Sequence, residues 1–279
     1  MSPPASPPDP YLFGHSDSET RRLQLQAAIL DASTTRMIAD AGLAPGMRVL
    51  DVGSGAGDVA LLAGQLVGPT GEVVGLERNP ELASLAQARA TAAGASNVRF
   101  ESTDIATWTT SDLFDALVGR CLLFFLADPA AALRSLLGAV RPGGTVAFQE
   151  PGNAALPPAV TARCPTLERI WSWIVDVYRR KGMDLHMGLR LHRVFLDAGL
   201  PGPNMHLDAA VGGGPDWPGF DYMAELVRTL LPLITELGIA TEADVDIDTL
   251  GDRLRREVGE TGDAATTWSF ISAWSVRSS

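Results

Sequence analysis

Apolar residues follow two different spacings in the first half of the chain. Residues 17–41 carry apolar side chains every three or four positions, which predicts one or two helices, whereas Arg48–Val52 is typical of a strand buried on both faces. The same criteria predict helices at 58–67, 80–93 and 129–140 and strands at 73–77, 98–102, 116–119 and 145–149, the last after a turn at 141–144. This alternation predicts βαβ units and a parallel sheet.

The pattern changes after residue 150. A Pro-rich stretch extends to residue 165 and precedes a helix at 166–181 that looks like an insertion over the sheet edge. Beyond it, helices are predicted at 189–198, 220–237 and 247–257, and strands at 205–211 and 266–276. The chain is therefore predicted to have an α/β fold with a seven-stranded, mostly parallel sheet, helices on both faces, an N-terminal helical cover and a helical lid insertion.

Composition restricts the class of protein and of partner. Hydrophobic residues make up 46% and charged residues 20% of the 279 positions, which is typical of a packed globular protein. The net charge of −11 disfavours nucleic acid and favours a small neutral or cationic substrate, although acidity could equally serve solubility alone. Cys121 and Cys164 lack the spacing of zinc ligands, so we expect no metal site and a cytoplasmic protein. Residues 1–10 are proline-rich and lack the basic start and apolar stretch of a signal peptide. We also expect no membrane span, because no apolar run approaches roughly 20 residues. A homo-oligomer is left open.

A glycine loop, Gly53-Ser54-Gly55-Ala56-Gly57, joins the first strand to the next helix. Glycines let the backbone approach a ligand closely, and the helix start directs N–H groups at it, although a tight turn without a ligand also requires glycine. The spacing is GxGxG, and Asp58 stands where a dinucleotide site has its third glycine. Asp58 could satisfy the donors that would otherwise bind pyrophosphate, so a ligand without phosphate is favoured.

Acidic residues follow the next two strands. Glu77 ends the second strand, where a carboxylate can accept hydrogen bonds from both ribose hydroxyls. Asp104 and Ile105 follow the third strand and suit the amino group and the flat face of adenine. The alternatives are a solvated strand end for Glu77, a helix cap for Asp104 and core packing for Ile105.

Taken in order, these motifs resemble those of class I S-adenosylmethionine-dependent methyltransferases, in their bacterial small-molecule, natural-product branch. The resemblance extends over about residues 47–150, includes the turn at 141–144, and implies a Rossmann-like fold. Together with the pattern of elements, it predicts a flexible tail at 1–15, N-terminal helices and the cofactor core at 16–150, a lid insertion at 151–188, and completion of the sheet with more lid helices at 189–279.

The resemblance also implies a role for individual residues. Gly53 and Gly55 would lie near the methionine part of S-adenosylmethionine with Asp51 supporting them, while Glu77 would bind the ribose, Asp104 the adenine amino group and Ile105 the adenine ring. The full set of expected cofactor residues is Asp51, Gly53, Ser54, Gly55, Glu77, Arg78, Asp104, Ile105, Arg120, Tyr11 and Gln26. Arg120 could instead be an ion-pair partner, and Tyr11 and Gln26 could simply pack in the N-terminal cover.

The residues at the reaction centre are less sharply indicated. The cofactor's sulfonium makes its methyl group electrophilic, so a base is needed only when the acceptor must lose a proton early. His186 in the expected lid is the first candidate base and His15 the second, with surface or packing roles as the alternative. An apolar roof over a hydrophobic substrate could come from aromatic and methionine residues that fit core packing equally well, namely Trp171, Trp173, Tyr178, Trp217, Phe220, Tyr222 and Met223.

We therefore expect methyl transfer to O, N or C of a small, hydrophobic, natural-product-like molecule. The Asn-Pro-Pro-Tyr type of motif used by nucleic-acid amino-methylating enzymes does not follow strand four. Three alternatives remain: an enzyme that uses bound S-adenosylmethionine for a rearrangement or cyclisation, a non-catalytic cofactor-binding partner protein, and an NAD-dependent oxidoreductase.

Overall fold

The computed structural model describes residues 17–153 and 163–278, in which seven strands form one sheet in the order β3-β2-β1-β4-β5-β7-β6. The strands are β1 (Arg48–Val52), β2 (Glu72–Glu77), β3 (Val98–Ser102), β4 (Phe114–Arg120), β5 (Val140–Asn153), β6 (Asn204–Gly212) and β7 (Ala265–Val276). Only β7 runs against its neighbours, since β1 to β5 pair in parallel. The predicted seven-stranded, mostly parallel sheet is confirmed.

The described helices agree closely with the predicted ones. They are α1 (Asp17–Asp40), α2 (Asp58–Val67), α3 (Pro80–Ala92), α4 (Pro129–Leu136), α5 (Pro165–Arg180), α6 (Met187–Ala198), α7 (Gly219–Glu236), α8 (Glu242–Val245) and α9 (Ile247–Thr261). The prediction missed α8 and a 3₁₀ turn at Leu123–Phe125, because a single turn is too short to show a periodicity. In the described part of the chain, no helix has the length and apolarity needed to cross a membrane.

Both faces of the sheet are covered by helices. Val49 packs with α1, α2 and the small side chains of Ala60 and Ala63, whereas the next residue, Leu50, packs on the other face with α4 and α6. This alternation follows from the two-residue repeat of a strand. Continuous apolar runs such as Arg48–Val52 are required because neither face is exposed to water.

A third hydrophobic cluster forms a helical cap beside the sheet. It joins α5, α7 and α9 to the beginning of β7, where Trp171 and Trp268 meet edge to face with ring centroids 4.2 Å apart. Helix α1 packs along α7 and so connects the cap to the sheet. The division of the chain into core and lid segments stays a prediction.

The expected turn at residues 141–144 belongs to β5. The pairing of β5 with β4 shifts register between Phe114 and Ala116, and Gly143 adopts a positive φ of 76° within the irregular segment. Backbone hydrogen bonds run from Gly143 N to Arg277 O and from Arg277 N to Gly144 O. The two glycines therefore make an irregularity in a paired strand rather than a turn before it, because Arg277, just after β7, supplies hydrogen-bond partners that local sequence cannot show.

Phe148 gives a test of the core. Its fully buried ring lies edge to face with Phe195 and leaves no room for a side chain at Gly119, whose added Cβ would be 2.5 Å from Phe148 Cε1. We expect Phe148→Ala to lower the free energy of unfolding by about 3–5 kcal/mol in chemical denaturation. Leu113→Ala, at a side chain that is 51% exposed, is the control, and an equal loss in both variants would contradict the packing.

Candidate active site

A cavity of about 350 Å³ lies at the carboxyl ends of the central strands. The sheet order places β1 beside β4, while β2 and β3 extend the other way, so the loops that follow β1 and β4 diverge. A crevice at such a reversal of strand order is the usual ligand site of open α/β sheets. The cavity is lined by the turns after β1 to β4, by α1 and by the helical cap.

The glycine loop forms one wall of this cavity. Gly53, Gly55 and Gly57 have φ values of 67°, 53° and 88°, in the left-handed region that disfavours other residues. A Cβ on Gly53 would lie only 2.8 Å from Leu122 Cδ1, so the loop after β4 presses directly on this turn. The N-cap residue of α2 is Gly57, which has no side chain to cap the helix, and Asp58 Oδ1 accepts from Arg89 Nη2 at 2.7 Å rather than from the backbone donors expected for it.

Glu77 ties this turn to the end of β2. Its Oε2 accepts a hydrogen bond from Gly55 N at 2.9 Å, and its Oε1 accepts one from Asn79 N at 2.8 Å. Glu77 also lines the cavity. Each carboxylate oxygen can accept more than one hydrogen bond, so these contacts orient Glu77 and leave it able to accept from ligand hydroxyls.

The loop after β3 lies on the same side of the cavity. Asp104, Ile105 and Arg78 are among the lining residues. Asp104 Oδ1 accepts from Ala106 N at 2.9 Å, while Ile105 packs at the border of the sheet core. The local turn contact of Asp104 and the core contact of Ile105 therefore coexist with a position at the cavity.

Asp51 of β1 and Ser54 of the glycine loop are both buried. Within the described residues, neither Asp51 carboxylate oxygen nor Ser54 Oγ has a hydrogen-bond partner of standard geometry. Burial raises the pKa of Asp51 to about 7, although Arg120 and the Ala60 amide act in the opposite direction. Asp51 supports the wall from below and is not itself a lining residue. Unpartnered buried polar atoms beside a glycine turn fit a ligand with cationic or hydroxyl donors.

Arg120 combines the two interpretations considered for it. Its side chain is 5% exposed and lines the cavity, and its Nη1 donates to Thr34 Oγ1 at 2.9 Å. The guanidinium also lies 3.6 Å from Asp31 and 3.8 Å from Asp58. Arg120 is thus an ion-pair partner that also presents a buried cation to the cavity.

Helix α1 closes the cavity with two buried polar residues. Gln26, which was predicted here, accepts a hydrogen bond from Arg22 Nη1 at 2.5 Å, and its Nε2 is 4.0 Å from Cys121 Sγ. Arg22 is only 4% exposed and also lines the cavity, but the prediction missed it. Arg22 and Gln26 are four residues apart, which places both side chains on one face of α1, and this spacing could have indicated Arg22 from the sequence.

Aromatic side chains form the roof of the cavity. Tyr178 and Tyr222 line it as predicted, whereas the other five proposed roof residues are packed in or against the helical cap and do not line it. Trp268 stacks with Tyr178, with ring centroids 6.1 Å apart. The sequence did not indicate it, because its pattern predicts a strand there and does not show which face of the strand meets the cavity. The remaining lining residues of the roof are Phe124, Phe125, Leu226 and Phe270.

The candidate base His186 lies away from this cavity. It is exposed at the start of α6 and is not a lining residue, and none of the histidines in the described ranges lines the cavity. Helix α6 turns its apolar face, which begins with the buried Met187, to the sheet, whereas His186 just before the helix is exposed. Tyr11 and His15 lie outside the described residues.

Comparison with known proteins identifies the family. Residues 43–199, more than half of the chain, match the family model of a methyltransferase domain. The chain belongs to this methyltransferase family. The resemblance found in the motifs is confirmed, and S-adenosylmethionine is the cofactor of the family, in agreement with the unpartnered polar atoms beneath the glycine loop.

Relatives match over shorter stretches. The chain is 34% identical over 111 residues to an arsenite methyltransferase of Halobacterium salinarum, which covers 39% of this chain and 28% of that protein. It is 35% identical over 107 residues to a trans-aconitate 2-methyltransferase of Streptomyces avermitilis, with 38% and 39% covered. The chain thus spans well under half the length of these relatives.

Solved structures show the same fold. One is a SAM-dependent methyltransferase from Aquifex aeolicus, with a TM-score of 0.52 and 18% identity. The superposition covers 70% of this chain and 94% of that one.

Asp51 makes the stability of the ligand-free protein depend on pH. Its folded-state pKa of about 7 lies above the ordinary 3.8, so the folded state binds more protons between these values and stability falls as pH rises through this window. We expect Asp51→Asn to raise Tm at pH 8 by about 2–4 °C, equivalent to ~1 kcal/mol, and to flatten the decline between pH 5 and 8. Differential scanning calorimetry with the exposed Asp216→Asn as control measures this, and parallel curves for Asp51→Asn and wild type would contradict it.

Proposed function

We propose that this chain is an S-adenosylmethionine-dependent methyltransferase that methylates O, N or C of a small, mainly hydrophobic molecule. The observation that carries the proposal is the division of one cavity into two parts. Glycine turns and carboxylates line the part beside β1, β2 and β3, whereas aromatic side chains line the part beneath the cap. A polar nucleoside and amino-acid site next to an apolar acceptor site is what a bisubstrate methyl transfer requires.

The first part suits each portion of the cofactor. Glu77, held by two backbone amides, is oriented to accept from the ribose hydroxyls. Asp104 and Ile105 would bind the adenine amino group and ring, and Gly53 and Gly55 would lie against the methionine portion. Arg120 and Gln26, which also line the cavity, would contact the cofactor, and the buried Asp51 would support the methionine site.

The chemistry then depends mainly on orientation. When bound, S-adenosylmethionine supplies a methyl group that is already electrophilic. The chain must hold the acceptor in line with that group and exclude water, and the apolar side chains of the roof would contribute to both. Burial raises the pKa of the Cys121 thiol to about 12, so this lining residue stays protonated and does not act as a base at neutral pH.

The aromatic part favours a flat or apolar acceptor. Phe124, Tyr178 and Trp268 form a connected group, with Phe124 meeting Tyr178 edge to face at 6.3 Å. Aromatic faces attract apolar rings and organic cations alike. The net charge of −11 agrees with a neutral or cationic acceptor. The cytoplasmic location, the absence of nucleic-acid binding and the oligomeric state stay predictions.

Turnover against an acceptor panel tests the activity. The purified chain is incubated with S-adenosylmethionine and small phenols, amines and carboxylic acids, and S-adenosylhomocysteine and product masses are measured. We expect at least one product heavier by one methylene unit. A product of unchanged mass with intact cofactor would point to a rearrangement or cyclisation, and tight binding without any product to a non-catalytic partner protein.

Glu77→Ala tests the ribose site. Loss of the carboxylate leaves ligand hydroxyls and the Gly55 amide without an acceptor, so we expect S-adenosylmethionine binding to weaken by roughly 1–3 kcal/mol in titration calorimetry.

Glu72→Ala is the matched control, because Glu72 lies at the other end of β2 and pairs with Arg48 and Arg99. It should bind the cofactor as the wild type does. An unchanged dissociation constant in Glu77→Ala would remove Glu77 from the site, and micromolar binding of NAD without binding of S-adenosylmethionine would refute the proposed function.

Phe125→Ala tests the acceptor site. Phe125 lines the cavity but is only partly buried, so its loss should leave the fold intact. With an acceptor from the panel we expect KM to rise about tenfold, equivalent to ~1.4 kcal/mol of lost apolar contact, and the cofactor dissociation constant to stay within about twofold. The exposed Leu189→Ala serves as control. A higher cofactor dissociation constant with unchanged acceptor KM would place Phe125 on the cofactor side instead.

A further inference from the structure

Glu150 is a fully buried carboxylate on β5 that none of the roles above uses. Its Oε1 accepts hydrogen bonds from Leu122 N at 2.9 Å and Leu123 N at 2.8 Å, and its Oε2 accepts one from Phe124 N at 3.4 Å. Three successive backbone amides thus converge on one side chain. Hydrogen bonds to an ionised acceptor are stronger than those between neutral groups.

These amides belong to the loop that follows β4. The preceding residue, Cys121, has a positive φ of 55°, and its amide donates to Gln149 O at 2.9 Å. Four consecutive amides of the loop are therefore held by two consecutive residues of β5. The short 3₁₀ turn at Leu123–Phe125 begins with donors that have no partner within the turn, and Glu150 supplies one from another strand.

The same loop contacts both parts of the cavity. Leu122 lies against the glycine turn, where an added Cβ on Gly53 would be 2.8 Å from its Cδ1. Phe124 and Phe125, with ring centroids 4.0 Å apart, belong to the aromatic roof. A shift of this loop would therefore move a wall of the cofactor site and the roof of the acceptor site together.

We propose that Glu150 is a positioning residue that holds the loop after β4 in the conformation needed to bind the cofactor and align the acceptor. It acts through the backbone of Leu122, Leu123 and Phe124 and touches neither ligand itself. The proposal rests on the proposed methyltransferase function for its effect on catalysis, whereas its effect on the loop stands on the hydrogen bonds alone.

The energetics favour a positioning role over simple packing. Burial raises the pKa of Glu150 to about 7, against the opposing effect of the three amides, so the ionised side chain is costly to bury. An apolar residue of similar size would satisfy the core at lower cost but would leave three buried amides without an acceptor.

The groups around Glu150 do not compensate its charge. Cys121 lies in the loop after β4, and burial raises the pKa of its thiol to about 12, so it is neutral. Its partner on β7 is Ile271, and helix α6 contributes Gly188 beside the following residues of β5. Arg22 and Arg120 act electrostatically on Cys121, whereas no arginine is among the groups that shift the pKa of Glu150.

Hydrogen exchange of the loop amides is the direct test. Glu150→Gln keeps one acceptor oxygen and Glu150→Met keeps none, so exchange at Leu122 to Phe124 at pH 8 should speed up roughly tenfold in the first variant and more in the second. Glu225→Gln makes the same chemical change at another buried glutamate, whose ion-pair partners are the side chains of Arg21 and Arg228, and should leave these amides unchanged.

Two further readouts separate positioning from general stability. The dissociation constant of S-adenosylmethionine should rise about tenfold in Glu150→Gln and stay near the wild-type value in Glu225→Gln, even when both lose similar Tm. In the wild type, protection of the loop amides, corrected for intrinsic exchange, should fall as pH drops from 8 to 6, because a protonated carboxyl is a weaker acceptor. The wild-type measurement needs no variant to fold.

The outcomes distinguish this proposal from the proposed function. Unchanged loop exchange in both Glu150 variants would overturn the positioning role. So would faster exchange with unaltered cofactor affinity and unaltered kcat and KM. Absence of S-adenosylmethionine binding in the wild type would refute the methyltransferase function, while the exchange data would still show whether Glu150 holds the loop.

Discussion

Parallel pairing of β1 with β4 is the constraint on which the rest of the site depends. Because β2 and β3 continue on one side and β5 on the other, the loops that leave β1 and β4 diverge and open a crevice. Leu122 of the loop after β4 lies against Gly53, a contact that a side chain at Gly53 would prevent. The glycine turn is therefore required as much by the neighbouring loop as by a ligand.

Buried charge is concentrated at this edge of the sheet. Asp51 and Glu150 both have a pKa raised to about 7 by burial, and Arg120 is held between Asp31 and Asp58. Each group lowers the stability of the ligand-free protein relative to an apolar core. Asp51 in return supplies a buried carboxyl near the glycine turn, Glu150 an acceptor for the loop after β4, and Arg120 a cation at the cavity. A loss of stability at functional groups of this kind is expected at an active site.

Several site residues followed from local sequence because the carboxyl ends of parallel strands must meet at one edge. Gly53, Glu77, Asp104 and Ile105 each come directly after a predicted strand, and all line the cavity. The sequence did not indicate that Arg22 lines the cavity, because an arginine on a helix is ordinarily solvated. His186 was chosen for its position in the expected lid, but burial of the apolar face of α6 leaves it in solvent.

The amino-acid sequence by itself determined the order of helices and strands, the parallel sheet and the cofactor class. The spacing of hydrophobic residues and the positions of glycines are properties of a few neighbouring residues, so they can be recognised without knowledge of tertiary contacts. Tertiary structure alone determined which aromatic side chains form the roof. It also determined the burial of Glu150 and the position of Trp268 and Phe270 of β7 at the cavity. These features depend on strands and helices more than 20 residues apart, whose side chains meet only when the whole sheet and its cap have packed.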